Sequence, residues 1–95
     1  MADTIMSIQL IPKTPNGEDV IPYVDRAIQV IDDSNLKYYV CPLETSIEGD
    51  MSELLSLIEK MNKAMREMGC ASIISQVKFY HAEHVSMDSL VQKYR

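Results

Sequence analysis

Two carboxylates and a hydroxyl alternate along one short stretch of this chain, PLETSIEGD at residues 42–50. Successive side chains of a strand point to opposite faces, so Glu44, Ser46 and Glu48 share one face. Glu44 and Glu48 are then about 13 Å apart, too far for the carboxylate pair of a glycosidase. Singly, Glu48 could hydrogen-bond an amino-bearing heterocycle. The alternative for both is surface charge.

The histidines and cysteines offer little chemistry. His81 and His84 follow a predicted strand at a spacing unlike the helical i, i+4 pair of zincins, so we expect solvated loop histidines and no metal site. Cys41 and Cys70 give no secreted-type disulfide framework. Both lie among apolar neighbours, which predicts buried thiols rather than nucleophiles. We expect no catalytic residue and no enzyme.

Neutral hydrogen-bonding side chains recur near the middle of the predicted strands. Together with the ring of Tyr39, they are what a planar heterocycle site requires, namely stacking surface and a few fixed donors and acceptors. The alternative is that they pair across strands within an oligomer interface. These neutral candidates are Ser7, Gln9, Thr45, Ser46 and Gln76.

The first half of the chain predicts a strand and a helix. Residues 3–12 alternate apolar and polar, and Pro12 with KTPNG ends the strand. Asp19 is the predicted N-cap of the helix, and Pro22 falls in its first turn. An apolar repeat runs to Asn35, which can take the left-handed cap; its members are Ile21, Val24, Ile28 and Ile31.

The second half predicts strands at 36–41, 43–49 and 71–80. Between the last two, Asp50 and Glu53 form a capping-box pair before a long helix that stops at Gly69. Its expected core stripe comprises Met51, Leu54, Leu55, Ile58, Met61, Met65 and Met68. Ser86 could cap a short final helix at 86–94.

The element order βαββαβ predicts one domain, residues 1–95, of the α+β ferredoxin-like class: a four-stranded antiparallel sheet with two helices on one face, plus a short C-terminal helix. The other face should mix polar and apolar groups. Contiguous apolar surface marks an interface, so we expect a second copy there, giving a dimer or tetramer. The members of this face are Ser7, Gln9, Ile11, Lys37, Tyr39, Cys41, Glu44, Ser46, Glu48, Ile74, Gln76, Lys78 and Tyr80.

Composition and charge argue against nucleic acid and the membrane as binding partners. The net charge is −5 with nine scattered basic residues, which argues against nucleic acid. No apolar run approaches the length of about 20 residues that a membrane span needs. The N-terminus MADTIMSIQL has no signal-peptide pattern, so we expect a cytoplasmic protein.

Three stretches resemble the small thiamine-binding protein family, which is related to the YkoF-type hydroxymethylpyrimidine-binding proteins. They are SIQLIPKTPNGEDVIPYVDRAI, YYVCPLETSIEGD and SMDSLVQKYR, and PLETSIEG is the most specific part.

The resemblance implies a non-enzymatic protein that assembles into dimers or tetramers. It would hold thiamine, or its hydroxymethylpyrimidine half, near subunit contacts, with no other cofactor. Carried over by position, it implies ligand contacts for Ser7, Gln9, Thr45, Ser46 and Glu48, although Thr45 and Ser46 have opposite parity and one of them should face the core. The alternative function is an oligomeric regulatory or structural domain without a small ligand.

Overall fold

The computed structural model describes residues 2–95; Met1, the first residue of the predicted domain, lies outside them. The strands are β1 (Thr4–Pro12), β2 (Lys37–Val40), β3 (Thr45–Gly49) and β4 (Ile73–His81). The helices are α1 (Ile21–Asp33), α2 (Met51–Glu67) and α3 (Met87–Val91), with 3₁₀ turns at Pro15–Gly17 and Gln92–Tyr94. The antiparallel sheet has the order β2-β3-β1-β4, which confirms the ferredoxin-like prediction.

The core lies between the sheet and the two long helices. β1 and β3 contribute Met6, Ile8 and Ile47, because alternate residues of each strand turn to the helices. The helices contribute buried side chains at three- and four-residue spacing, which is the period of an amphipathic helix. These are Tyr23, Ala27, Ile31, Leu54, Leu57, Met61, Ala64 and Met65.

The long helix α2 begins and ends at the predicted positions. The Asp50 N–H donates to Glu53 Oε1 at 3.0 Å, completing a capping box. The Met51 N–H, which has no acceptor within the helix, donates to Asp3 Oδ1 at 3.1 Å. At the other end Gly69 has φ +95°, a conformation open to glycine at little cost. The start of α2 is therefore tied to the start of β1.

Three details of the helices differ from the predictions. The N-cap position of α1 is Val20 rather than Asp19, although Asp19 Oδ1 accepts from the Ile21 N–H at 3.2 Å. Leu55 was expected in the core but is exposed, while Leu57, which the prediction left out, is buried. The reason is geometric, since Leu57 rather than Leu55 continues the three- and four-residue spacing from Leu54.

The β2–β3 connection is longer than expected. The structure has strands at 37–40 and 45–49, where the sequence predicted 36–41 and 43–49. The Cys41 N–H donates to the Glu44 carbonyl at 3.0 Å, so residues 41–44 close a turn that carries Pro42. This turn also corrects the cysteine prediction, because Cys41 is exposed and only Cys70 is buried. Burial raises the pKa of the Cys70 thiol.

The sheet face opposite α1 and α2 has the predicted parity. Ser7 pairs with Ser46 on one side and Lys78 on the other, and Gln9 pairs with Gln76. The predicted C-terminal helix forms as α3, capped by Ser86 Oγ, which accepts from the Ser89 N–H at 3.2 Å. It lies against this same face, so the chain itself covers the β2–β3 half and leaves the β1–β4 half open.

Candidate ligand-binding site

Two cavities contain predicted site residues. The larger one lies on the helix side of the sheet, between the start of α1 and the β2–β3 turn. Its volume is about 350 Å³, within the range of about 300–1,000 Å³ typical of small-molecule sites. We call it the hairpin cavity. Its lining is Ile8, Gln9, Leu10, Ile11, Val20, Ile21, Val24, Ala27, Ile28, Ile31, Val40, Cys41, Pro42, Leu43, Glu44, Thr45 and Met61.

The lining is mostly aliphatic, with a few polar groups. Thr45 is 8% exposed and points to the helix side of β3, as the buried Ile47 does. Glu44, in the turn just before β3, is the single charged residue among the described residues of the lining. An apolar wall with a few placed hydrogen-bonding groups suits a flat, partly polar ring.

The rim of the hairpin cavity is apolar and open to water. Leu43 is 80% exposed, and Ile21 and Val40 are more than half exposed. Neighbouring exposed aliphatic side chains around a concavity are typical of a binding site rather than of a solvated surface.

Glu44 is held in its charged form. Its Oε1 lies 3.1 Å from Lys78 Nζ, on the far edge of the open sheet face. Hydrogen bonds from Lys78 and then Ser7 lower the pKa of Glu44. The carboxylate is therefore ionised at neutral pH. It reaches over the open sheet face to Ser7 and Lys78, while Glu44 as a residue also lines the edge of the hairpin cavity.

A smaller cavity, of about 170 Å³, lies under α3 on the opposite sheet face. Tyr39, Cys41 and Ser46 line its sheet side, together with Ile5, while Met87, Leu90, Val91 and Arg95 close it from the C-terminal segment. The volume is below the usual range for a small-molecule site. A ring could lodge there only if α3 moved or a partner surface extended the space.

Polar contacts hold α3 on the sheet. Glu48 Oε1 accepts from the Met87 N–H at 2.8 Å, which satisfies a free donor of the first turn of the helix. The Asp88 carboxylate pairs with the Lys37 ammonium and accepts from Tyr39 OH at 2.5 Å. These contacts, first that with Lys37, lower the pKa of Asp88.

Docking of α3 should therefore depend on pH. Because the pKa of Asp88 is lowered in the folded state, the contribution of its carboxylate is complete above the unfolded pKa of about 4 and is lost as pH falls below it. Hydrogen exchange should show the amides of residues 89–91 losing protection below pH 4 before those of β1. Asp88→Asn should show the same selective loss at pH 7. The control Asp25→Asn, on exposed α1 surface, should not. Equal protection of α3 in Asp88→Asn and the unmodified chain at pH 7 would contradict this role.

The predicted site residues do not gather at one point. Gln9 and Thr45 line the hairpin cavity, whereas Tyr39 and Ser46 line the cavity under α3. Glu48 caps α3. Ser7 and Gln76 lie on the open sheet face, where Ser7 is paired with Lys78 and Gln76 with Gln9.

Sequence reasoning missed the α1 wall of the hairpin cavity. The sequence places Val24 and Ile28 in one apolar repeat with Ile31, but the buried face of α1 is formed by Tyr23, Ala27 and Ile31. A usable signal was present, because α1 carries apolar residues around about half of its circumference, from Val20 to Ile31. So wide an apolar surface exceeds what one helix face can bury.

His81 is the last residue of β4, and His84 lies in the loop that follows. His81 Nδ1 lies 3.0 Å from Thr4 Oγ1 and 3.8 Å from Asp3 Oδ1. Within residues 2–95, no group of three or more His, Cys, Asp or Glu side chains is placed to hold a metal ion. Nor does any helix in that range have the length and apolarity to cross a membrane.

Comparison with known proteins places this architecture in a family. A family model described as thiamine-binding protein matches residues 6–95. A UPF0045 protein of Clostridium perfringens is 34% identical over 91 residues, which cover 95% of each chain. A Bacillus cereus domain of unknown function superposes with a TM-score of 0.91 at 30% identity, covering 99% of this chain and 91% of that one. A Thermotoga maritima protein, whose name links it to thiamine biosynthesis or salvage, gives 0.87 at 26% identity over 98% of this chain and 99% of its own. The chain belongs to the thiamine-binding protein family.

Proposed function

We propose that this chain binds thiamine, or its hydroxymethylpyrimidine half, without transforming it, and that the ring enters the hairpin cavity. The observation that carries the proposal is the position of the PLETSIEG stretch. Its first four residues, 42–45, all line the 350 Å³ cavity. The stretch that most resembles the family thus coincides with the concavity of suitable size.

The chemistry of the lining supports a substituted pyrimidine. A flat ring can pack between Val24, Ile28 and the aliphatic part of the turn, where it leaves water. The aminopyrimidine edge offers donors and acceptors that the Thr45 hydroxyl can match. The positive thiazolium ring would then face the mouth, near the ionised Glu44 carboxylate.

The open half of the sheet supports the second part of the proposal, assembly with another copy. Ile11, Ile74 and Tyr80 are all more than 40% exposed on this face. Polar Ser7, Gln76 and Lys78 lie among them and could pair across a two-fold contact. Because Glu44 bonds Lys78 at the boundary, the ligand site would adjoin the subunit contact.

Calorimetric titration tests ligand binding directly. We expect saturable binding of thiamine and of hydroxymethylpyrimidine. Thr45→Val keeps the side-chain shape and removes the hydroxyl, so it should weaken binding about three- to tenfold, the value of one hydrogen bond. Ser56→Ala removes a hydroxyl from exposed α2 surface and is the control. Absence of heat and of any melting shift at millimolar ligand would refute the proposal, and light scattering on the same samples reports assembly separately.

The alternative, a structural or regulatory oligomer without a small ligand, predicts a different result. In that case light scattering would show dimers or tetramers while neither compound bound. Thr45→Val would then change stability alone.

A further inference from the structure

The short helix α3 is joined to the edge strand β2, and β2 leads into one wall of the hairpin cavity. We infer that α3 positions the β2–β3 turn, with Asp88 as the positioning residue, so that docking of α3 and occupation of the hairpin cavity strengthen one another. This inference rests on the proposed function, since it concerns the regulation of the same cavity.

Strand β2 is weakly held by the sheet itself. It is four residues long, and within residues 2–95 it pairs with β3 alone. Its residues are all exposed or half-buried, so it adds little apolar surface to the core. Segments with few buried apolar contacts open locally at a lower free-energy cost than the core does. Further contacts to β2 should therefore change how firmly it is held.

Asp88 of α3 makes such contacts. Its carboxylate pairs with the Lys37 ammonium and accepts from Tyr39 OH at 2.5 Å, so two β2 side chains on this face meet the same group. On the other face of the sheet, Tyr38 OH donates to Asp32 Oδ1 at 2.9 Å, which keeps β2 attached to the end of α1. Loss of the Asp88 carboxylate should thus loosen β2 without unfolding it.

Helix α3 is in turn anchored to the central strands. Glu48 Oε1 of β3 accepts from the Met87 N–H at 2.8 Å, and the Met87 side chain is 5% exposed. In the preceding segment, the N–H groups of Ala82 and Val85 donate to backbone carbonyls of residues 2–3 at 3.0 and 3.3 Å. A helix of five residues has little stability of its own, so these contacts decide its position. α3 therefore connects the middle of the sheet to its edge.

The strand that α3 holds continues directly into the cavity wall. β2 ends at Val40, and residues 40–45 all line the hairpin cavity. Cys41 lines both this cavity and the one under α3, so a displacement of the turn changes the shape of both. Asp88 lies on the opposite sheet face and would act on a ligand through β2. Because coupling between two sites is reciprocal, a ligand that holds the turn must also hold α3.

Hydrogen exchange of the unmodified chain tests the coupling without a substitution. Saturating thiamine should slow the exchange of the amides of residues 89–91 by about fivefold or more, as expected for allosteric coupling. Neutral hydroxymethylpyrimidine should slow it too, since the effect passes through the turn and not through the charge of the ligand. Unchanged exchange of these amides at saturating thiamine would overturn the inference. Protection that persisted in Val24→Trp, which fills the hairpin cavity, would place the ligand under α3 and overturn it as well.

Calorimetry of variants tests the reciprocal effect. Asp88→Asn should weaken the binding of both compounds by about fivefold or more, although Asp88 lies on the other side of the sheet. Asp25→Asn makes the same change of net charge on exposed α1 surface and should bind them as the unmodified chain does. Wild-type affinity in Asp88→Asn would overturn the inference while leaving the proposed function standing. Failure of the unmodified chain to bind either compound would overturn both.

Discussion

Val24→Trp is expected to abolish thiamine binding, weakening it by at least about 100-fold. Val24 is half-buried in α1 and lines the hairpin cavity. An indole at this position would occupy the space proposed for the ring, and the burial lost by the ligand is worth several kcal/mol. The fold should persist, because the added apolar group fills an existing void rather than a packed core. Calorimetry gives the affinity and thermal unfolding the stability.

Gln29→Trp is the matched control for this substitution. It places the same side chain on exposed α1 surface outside the cavity and should leave binding unchanged. If Val24→Trp bound thiamine as tightly as the control, the ligand would have to lie elsewhere. The cavity under α3 would then become the leading candidate, and Tyr39→Ala the substitution to examine.

Leu54→Ala is expected to lower the free energy of unfolding by about 3 kcal/mol. Leu54 is fully buried in the first half of α2, where its removal leaves a void among tightly packed side chains. Leu55→Ala is the control, since it makes the same truncation at a side chain that is 47% exposed and should cost less than about 1 kcal/mol. Urea unfolding monitored by circular dichroism measures both. Similar costs for the two substitutions would contradict the assignment of the α2 core face.

The sheet was predictable because a shift of one residue would exchange the buried and exposed faces of each strand. A side chain on the wrong parity would bury Gln9 or expose Met6, so the pattern of β1 admits one register. The capping box at Asp50 and the left-handed residue Asn35, with φ 63°, were predictable because helix ends have local sequence signals. Each depends on residues within a few positions of one another.

The site was less predictable, because it depends on how elements meet. The apolar residues of α1 could not be divided into core and cavity wall without the position of the β2–β3 turn. Strand parity predicts that either Thr45 or Ser46 faces the core, and Thr45 does, but parity does not predict that Glu48 caps α3. The sequence pattern predicts that a short helix α3 forms, but it does not predict that these five residues fold back over the sheet.

The central position of β1 has a consequence for how the chain acquires its structure. Thr4 is aligned with His81, so the first strand of this domain lies in the middle of the sheet and gains one of its two neighbours only when the last strand is available. Such distant pairings must overcome loop-closure entropy before they contribute stability. We therefore expect folding in milliseconds to seconds rather than microseconds, and completion only after synthesis has passed residue 81.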